Sequence, residues 1–155
     1  DCHYCLLRPM PTVLNTKLDR HNDLVPTDRL SLTAEERQRS RCPFTTIGNV
    51  DVYIQLERGT FLRQGDRLQS EDRSLIVEIV AQPERVMAVT SDRSIDLLQA
   101  AYHLGNRHVP LEVTESHLYL LPDSVLQDLL QHRGLMVTEV ERPFQPQAGA
   151  YEHHH

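Results

Sequence analysis

Tryptophan is absent from these 155 residues, aromatics amount to 5%, and no apolar run is long enough to cross a bilayer. A membrane-spanning helix is therefore excluded. Cysteine is scarce and odd in number, and Cys2, Cys5 and Cys42 do not make the disulfide framework of a small secreted domain. Positive charge is not in excess either. The formal net charge of −6 leaves no electrostatic footprint for a polyanion, which argues against nucleic acid as a partner. The opening residues lack the basic-then-apolar pattern of a secretory leader. A reducing cytoplasm is the expected compartment.

What is present reads as an ordinary globular composition, 39% hydrophobic and 25% charged, on a chain long enough for one domain or two small lobes. Up to about Arg41 there is little steady periodicity, although Leu32-Thr33-Ala34-Glu35-Glu36-Arg37 suits a short helix or a charged connection. Val50, Val52, Ile54 and Leu56 then alternate with polar residues, the pattern of a half-buried strand. Leu75 to Val80 and Arg85 to Thr90 are two further runs rich in valine and isoleucine, separated by Gln82-Pro83. The first half, 1–84, reads as a small β domain.

After Thr90 the rhythm becomes helical. Ser91 or Asp92 suits a cap, Ile95, Leu98 and Tyr102 share one face widened by Leu97, Ala101 and Leu104, and Asp96, Gln99 and His103 fall on the polar side. Gly105 is suited to end that helix in a left-handed conformation. Leu111 to Thr114 and His117 to Leu121 are short strand candidates. Pro122-Asp123 opens a second helix with Val125, Leu126, Leu129 and Leu130 as its buried stripe and Gly134 at its close. Met136 to Val140 supplies a last strand. The fold class is therefore α+β: an N-terminal β domain, then over 85–142 the order β-α-β-β-α-β of a ferredoxin-like domain, then a flexible tail over 143–155.

The run Tyr102-His103-Leu104-Gly105-Asn106-Arg107-His108 carries the sharpest chemistry, because it sets a histidine beside a glycine just past a helix, with no packing reason for that composition. A metal-carrying role is indicated. His103 is explained by solvation and is a secondary candidate ligand. His117 reads as a strand-surface residue and His132 as a cation near a helix C-terminus, while His3 and His21 have no supporting context. Cys2-His3-Tyr4-Cys5 has the spacing of zinc and redox sites, but lacks a second pair and a helix N-terminus. Cys42 lacks the strained turn and oxyanion element of a hydrolase nucleophile.

The segment Ala101-Tyr102-His103-Leu104-Gly105-Asn106-Arg107-His108-Val109-Pro110-Leu111 resembles the signature of the UreE family of urease accessory proteins. Leu32 to Arg37, Leu56-Glu57-Arg58-Gly59-Thr60, Leu62-Arg63-Gln64-Gly65-Asp66 and Pro143 to Tyr151 resemble segments of the same family in the same order. The resemblance runs from Val25 to Tyr151. It implies a non-enzymatic nickel metallochaperone acting as a homodimer, with an N-terminal β domain that engages protein partners and a C-terminal domain that dimerises and holds the metal. It also implies delivery through the urease accessory complex, with the UreG GTPase as recipient, toward apo-urease. His108 of each subunit would then share one Ni(II). Imidazole suits nickel but one nitrogen is too few, and a two-fold axis doubles the count. Zinc or copper would occupy such a site in vitro, copper most tightly.

Two departures from the family pattern stand out. Leu121, Pro122, Asp123 and Ser124 occupy the stretch where some members carry additional histidines, so those auxiliary sites are expected to be absent. In place of a long histidine-rich tail only His153, His154 and His155 follow Glu152, a run that suits auxiliary ligands and equally the remnant of an affinity tag. The main rival reading is a ferredoxin-like protein-interaction module whose metal binding is incidental. A metal-dependent enzyme needs an open coordination position and a placed acid or base, and Glu112 and Glu115 lack the spacing of a catalytic motif.

Overall fold

The computed structural model describes residues 10–147. The fold is α+β and mostly sheet, in two compact units: the chain up to Leu32 together with Arg37–Val80, and Thr33–Glu36 together with the chain from Ala81.

The first unit is built on six strands, β1 (Thr12–Lys17), β2 (Asp28–Leu32), β3 (Arg41–Thr45), β4 (Asp51–Gln55), β5 (Arg67–Ser70) and β6 (Ile76–Ala81), in the order β2-β6-β5-β1-β4-β3. The alternation around Val52 and Ile54 becomes β4, with both residues buried, while Val50 precedes the strand and is exposed. β1 runs parallel to β4 and antiparallel to β5, with an irregularity in register between Leu14 and Thr16. Leu14, Leu30, Ile54, Leu68 and Ile79 meet in its core. The long connection from β1 to β2 wraps the Arg67 guanidinium, which donates to the carbonyls of Asp19, Arg20, Asn22 and Leu24. One planar fork of five donors thus satisfies a loop that has little apolar content of its own.

Thr33–Glu36 groups with the second unit rather than the first. Helix α1 (Ala34–Arg37) opens on a reciprocal cap: the Glu36 carboxylate accepts the Thr33 amide at 2.9 Å, and the Thr33 hydroxyl accepts the Glu36 amide at 3.3 Å. The Ala34 amide donates to the Glu84 carboxylate at 2.9 Å, and Ala34 packs with Val86 and Phe144.

The second unit follows as β7 (Pro83–Thr90), α2 (Ser94–Asn106), β8 (Glu112–Val113), β9 (Leu118–Leu120), α3 (Ser124–His132) and β10 (Met136–Pro143). Its sheet order is β10-β7-β9-β8, and every neighbouring pair is antiparallel. Met87, Val89, Leu118 and Leu120 meet Leu97, Leu104, Leu126 and Leu130 of the helices in one core.

At the chain's end, residues 143–147 are built into the fold, where the sequence predicts the start of a flexible tail. β10 pairs with β7 through Pro143, Phe144 is fully buried, and the Gln147 amide donates to the Leu111 carbonyl at 2.8 Å. β10 is an edge strand, where a proline without an N–H is tolerated, and a phenylalanine two positions from the expected boundary has a core to enter. The rest of the expected tail lies outside the described residues.

Candidate metal centre

Helix α2 has two apolar faces and buries only one. Leu97, Ala100 and Leu104 are buried against the sheet, whereas Ile95, Leu98 and Tyr102, expected to point inward, are 46%, 67% and 68% exposed. Apolar residues cover too wide an arc of the helix for one sheet face to cover all of them. The flatter Leu97–Ala100–Leu104 side lets α2 lie closest to the strands. α3 repeats the pattern, with Leu126 and Leu130 buried and Val125 68% exposed.

The end of α2 differs from the expectation in a way that bears on the chemistry. Gly105 is not the left-handed terminator; it lies inside the helix, and the residue with positive φ is His108 at 58°. The His108 amide donates to the Gly105 carbonyl at 3.0 Å and the Val109 amide to the Leu104 carbonyl at 3.1 Å. These are the paired bonds of a Schellman C-cap, with Arg107 as cap and His108 in the following position. Val109 packs on the core cluster that contains Leu104, the apolar contact that accompanies such caps. Glycine is the usual occupant there because a β-carbon in the left-handed region costs about 1 kcal/mol. A histidine held in that conformation is an observed strain, of the kind that clusters at functional sites.

The exposed His108 lines an open cleft of about 280 Å³ with Arg107, Pro110, Leu121, Pro122 and Asp123. Asp123 caps α3, its carboxylate accepting the amides of Val125 at 2.9 Å and Leu126 at 3.1 Å. Among the described residues no three of histidine, cysteine, aspartate and glutamate come together as an ion's ligand group. Among the described residues His108 is therefore part of no complete ligand group, and it is open toward solvent.

The other sequence candidates are scattered. His103 is half-buried in the last turn of α2, its ring edge-on to Tyr102 at 5.6 Å. His117 stacks on Tyr119 at 5.7 Å and bonds the Ser116 hydroxyl at 2.7 Å, while His132 sits in the last turn of α3. Glu112 is committed to Arg142 at 2.9 Å and to the Gln145 amide at 2.8 Å. Cys42 lies half-buried on β3. His153, His154, His155, Cys2 and Cys5 lie outside the described residues. The feature that sequence reading missed is the exposed stripe of Ile95, Leu98 and Tyr102; its signal was a helix apolar on more than one side.

Residues 84–155 match the model of the UreE urease accessory protein C-terminal domain, and residues 12–82 that of the N-terminal domain. The chain belongs to the UreE family. It is 49% identical over 133 residues to the urease accessory protein UreE of a Nostoc species, covering 86% of this chain and 90% of that relative. With the UreE of Thermosynechococcus vestitus it shares 50% over 125 residues, covering 81% and 87% of the two chains. The UreE of Acinetobacter baumannii is 42% identical over 127 residues, covering 82% and 79%. These relatives are named as accessory proteins of urease, not as the enzyme itself. Among the described residues no helix is long and apolar enough to cross a membrane.

Proposed function

We propose that this UreE chain is a cytoplasmic nickel metallochaperone, a homodimer that carries Ni(II) as cargo between the His108 imidazoles of its two subunits and catalyses nothing itself. The observation that carries this reading is His108 held at φ 58° by the C-cap of α2. The cap holds an exposed histidine at a position where glycine would be more stable. A lone, open donor suits a carrier. It needs a second subunit to bind tightly, and it surrenders the ion once a better shell is offered. The antiparallel order β10-β7-β9-β8 supports a ferredoxin-like domain over 85–142 as the metal-binding and dimerising half, with 1–84 free to engage partners.

Membership of a urease accessory family supports the UreG GTPase as recipient and the apo-urease assembly complex as destination. His153, His154 and His155 serve as auxiliary ligands in this reading, and His103 as a minor one. Zinc and copper compete in vitro. Because only neutral imidazole ligates, nickel is released as the solution is acidified.

Calorimetric nickel titration with native mass spectrometry tests the proposal on a chain ending at Glu152. The expected result is about one nickel per dimer, lost in His108→Ala. Binding that survives His108→Ala, or that disappears with the three terminal histidines alone, overturns it.

A further inference from the structure

One end of the first unit's sheet gathers the apolar residues that the unit leaves uncovered. β1 and β4 run parallel from Thr12 and Asp51, and the Thr27 amide donates to the Ile76 carbonyl at 2.8 Å, so β2 and β6 also begin side by side. β3 and β5 end where these four begin, with Thr45 opposite Asp51 and Gln69 opposite Ile76. Met10, Val25, Ile47 and Val50 flank those strand ends, and they are four of the five large apolar residues that the unit exposes among the described residues. Single exposed apolar side chains need no explanation, whereas a group of them at one end of a sheet marks an interaction surface.

Ile47 is held outward by a clamped turn. Its amide donates to the Arg29 carbonyl at 2.9 Å, the Gly48 amide to the Asp28 carboxylate at 3.0 Å, and the Thr46 hydroxyl to the other oxygen of that carboxylate. A β-carbon on Gly48 would come within 2.7 Å of the Asp28 carboxylate, so a larger residue there would displace the group that clamps the turn. Ile47 and Val25, 66% and 77% exposed, line an open cleft of about 360 Å³ together with Asp28 and Glu78. A second cleft of about 370 Å³ opens at Thr12, Glu71 and Asp72.

The charge at this end is one-sided. Asp28, Asp51, Glu71, Asp72 and Glu78 stand against Arg29 and Arg73, which places −3 of the chain's formal −6 here. Over the whole chain 22 acidic residues meet 16 basic ones, so the imbalance is concentrated where the apolar residues are exposed.

We infer that this end of the first unit docks a segment of a partner protein in which aliphatic side chains lie beside lysine or arginine, with Ile47 and Val25 as its apolar anchors. The inference deepens, and rests on, the part of the proposal above in which residues 1–84 engage partners. Charge selects the occupant. A second copy meeting the same end about a two-fold axis would set carboxylates against carboxylates, and an anionic lipid surface or a nucleic acid would be repelled likewise. A cationic, partly aliphatic segment is attracted by the rim and finds its anchors already positioned, which lowers the ordering cost of binding.

Panning a randomised peptide library displayed on phage against the full chain tests this, with the enriched peptides synthesised and titrated by fluorescence anisotropy. The expected peptides carry leucine, isoleucine or valine beside lysine or arginine. Their affinity should fall about tenfold in Ile47→Ser and in Val25→Ser, exposed sites where the far-ultraviolet dichroism stays unchanged. It should also fall in Glu78→Gln and with rising salt. No enrichment, enrichment of acidic peptides, or affinities unchanged in Ile47→Ser and Val25→Ser overturns the inference. A chain lacking residues 1–9 that binds the peptides about tenfold tighter overturns it too, by assigning the rim to the chain's own opening segment. So does a dimer that Ile47→Ser dissociates on sedimentation, by assigning the rim to a second copy. Nickel titration of the same variants keeps the two readings apart. Peptide binding indifferent to the variants, with nickel intact, removes the docking rim alone, whereas a natural chain that binds the peptides and no nickel removes the carrier reading alone.

Discussion

The backbone amide of His108 donates to the carbonyl of Gly105 at 3.0 Å, so the residue without a side chain anchors the one that carries the imidazole. The direction in which its Cα–Cβ bond leaves the main chain is set by that geometry, because φ is fixed at 58° and Val109 is pinned to Leu104 one bond further on. Backbone capping orients a ligand more firmly than contacts with mobile surface side chains would. It does so at a cost in stability, because a β-carbon is disfavoured in the left-handed region.

Replacing His108 by glycine is expected to stabilise the protein by about 0.5–1 kcal/mol, since glycine enters the left-handed region without a β-carbon clash. His108→Ala keeps that clash and stays near the natural sequence. Urea unfolding in the presence of chelator measures both, and calorimetry on the same variants freed of chelator should find nickel binding lost in each. A glycine variant no more stable than the alanine variant would mean that the cap does not strain the site.

Phe144→Ala is expected to cost about 3–4 kcal/mol, because a fully buried phenylalanine packed with Ala34 and Val86 leaves a cavity that the sheet cannot refill. Thermal unfolding of the full chain provides the check. A loss under about 1 kcal/mol would place residues 143–147 with the loose tail that the sequence implied.

Much of this architecture was legible in the sequence, and the parts that were not have particular causes. Val52 and Ile54 announced β4 because strict alternation has one structural meaning when one face is buried. The strands β1, β2, β3 and β5 went unread: of these, Thr12–Lys17 and Arg67–Ser70 are short and mostly polar, and are held by pairing on both sides rather than by a pattern of their own. On α2 the helix was correctly placed but its buried side was not. Periodicity finds apolar faces and does not decide which of two adjacent faces meets the sheet. The His108 motif was legible as a motif, whereas its left-handed backbone was not. Glycine is the ordinary sign of that conformation, and here glycine stands three residues early.

Arg142 joins three neighbours at the end of β10: it lies 3.8 Å over the Tyr119 ring and 2.9 Å from Glu112, whose other oxygen accepts the Gln145 amide at 2.8 Å. Arg142→Ala removes the ion pair and the ring contact together. The expected loss is about 1 kcal/mol, kept small because the arginine is partly open to water. Hydrogen exchange should localise it, with the amides of Gln145 and Gln147 exchanging faster and those of β4 unchanged. Uniform acceleration across both units would show global destabilisation instead.

Asp72 sets an acid limit on the first unit. Bonds from the Ser74 hydroxyl and amide, then from the Ser70 hydroxyl, hold its carboxyl down at about 2 from an ordinary 3.8. A carboxyl lowered by folding favours the native state wherever it is ionised in both states, so its contribution is fully present above about pH 4 and fades as the pH falls toward 2. Asp72→Asn removes the ionisation and with it that part of the pH dependence. Urea midpoints compared at pH 5 and in the acid limb, about pH 2–3, should fall less steeply for the asparagine variant than for the natural sequence. Parallel slopes would mean that the Ser70–Ser74 turn opens before its carboxyl titrates. The acid limb would then belong to other carboxylates, with Asp28 next in line: burial works against its ionisation, but bonds from Thr46, Arg29 and Gly48 outweigh burial and lower its pKa.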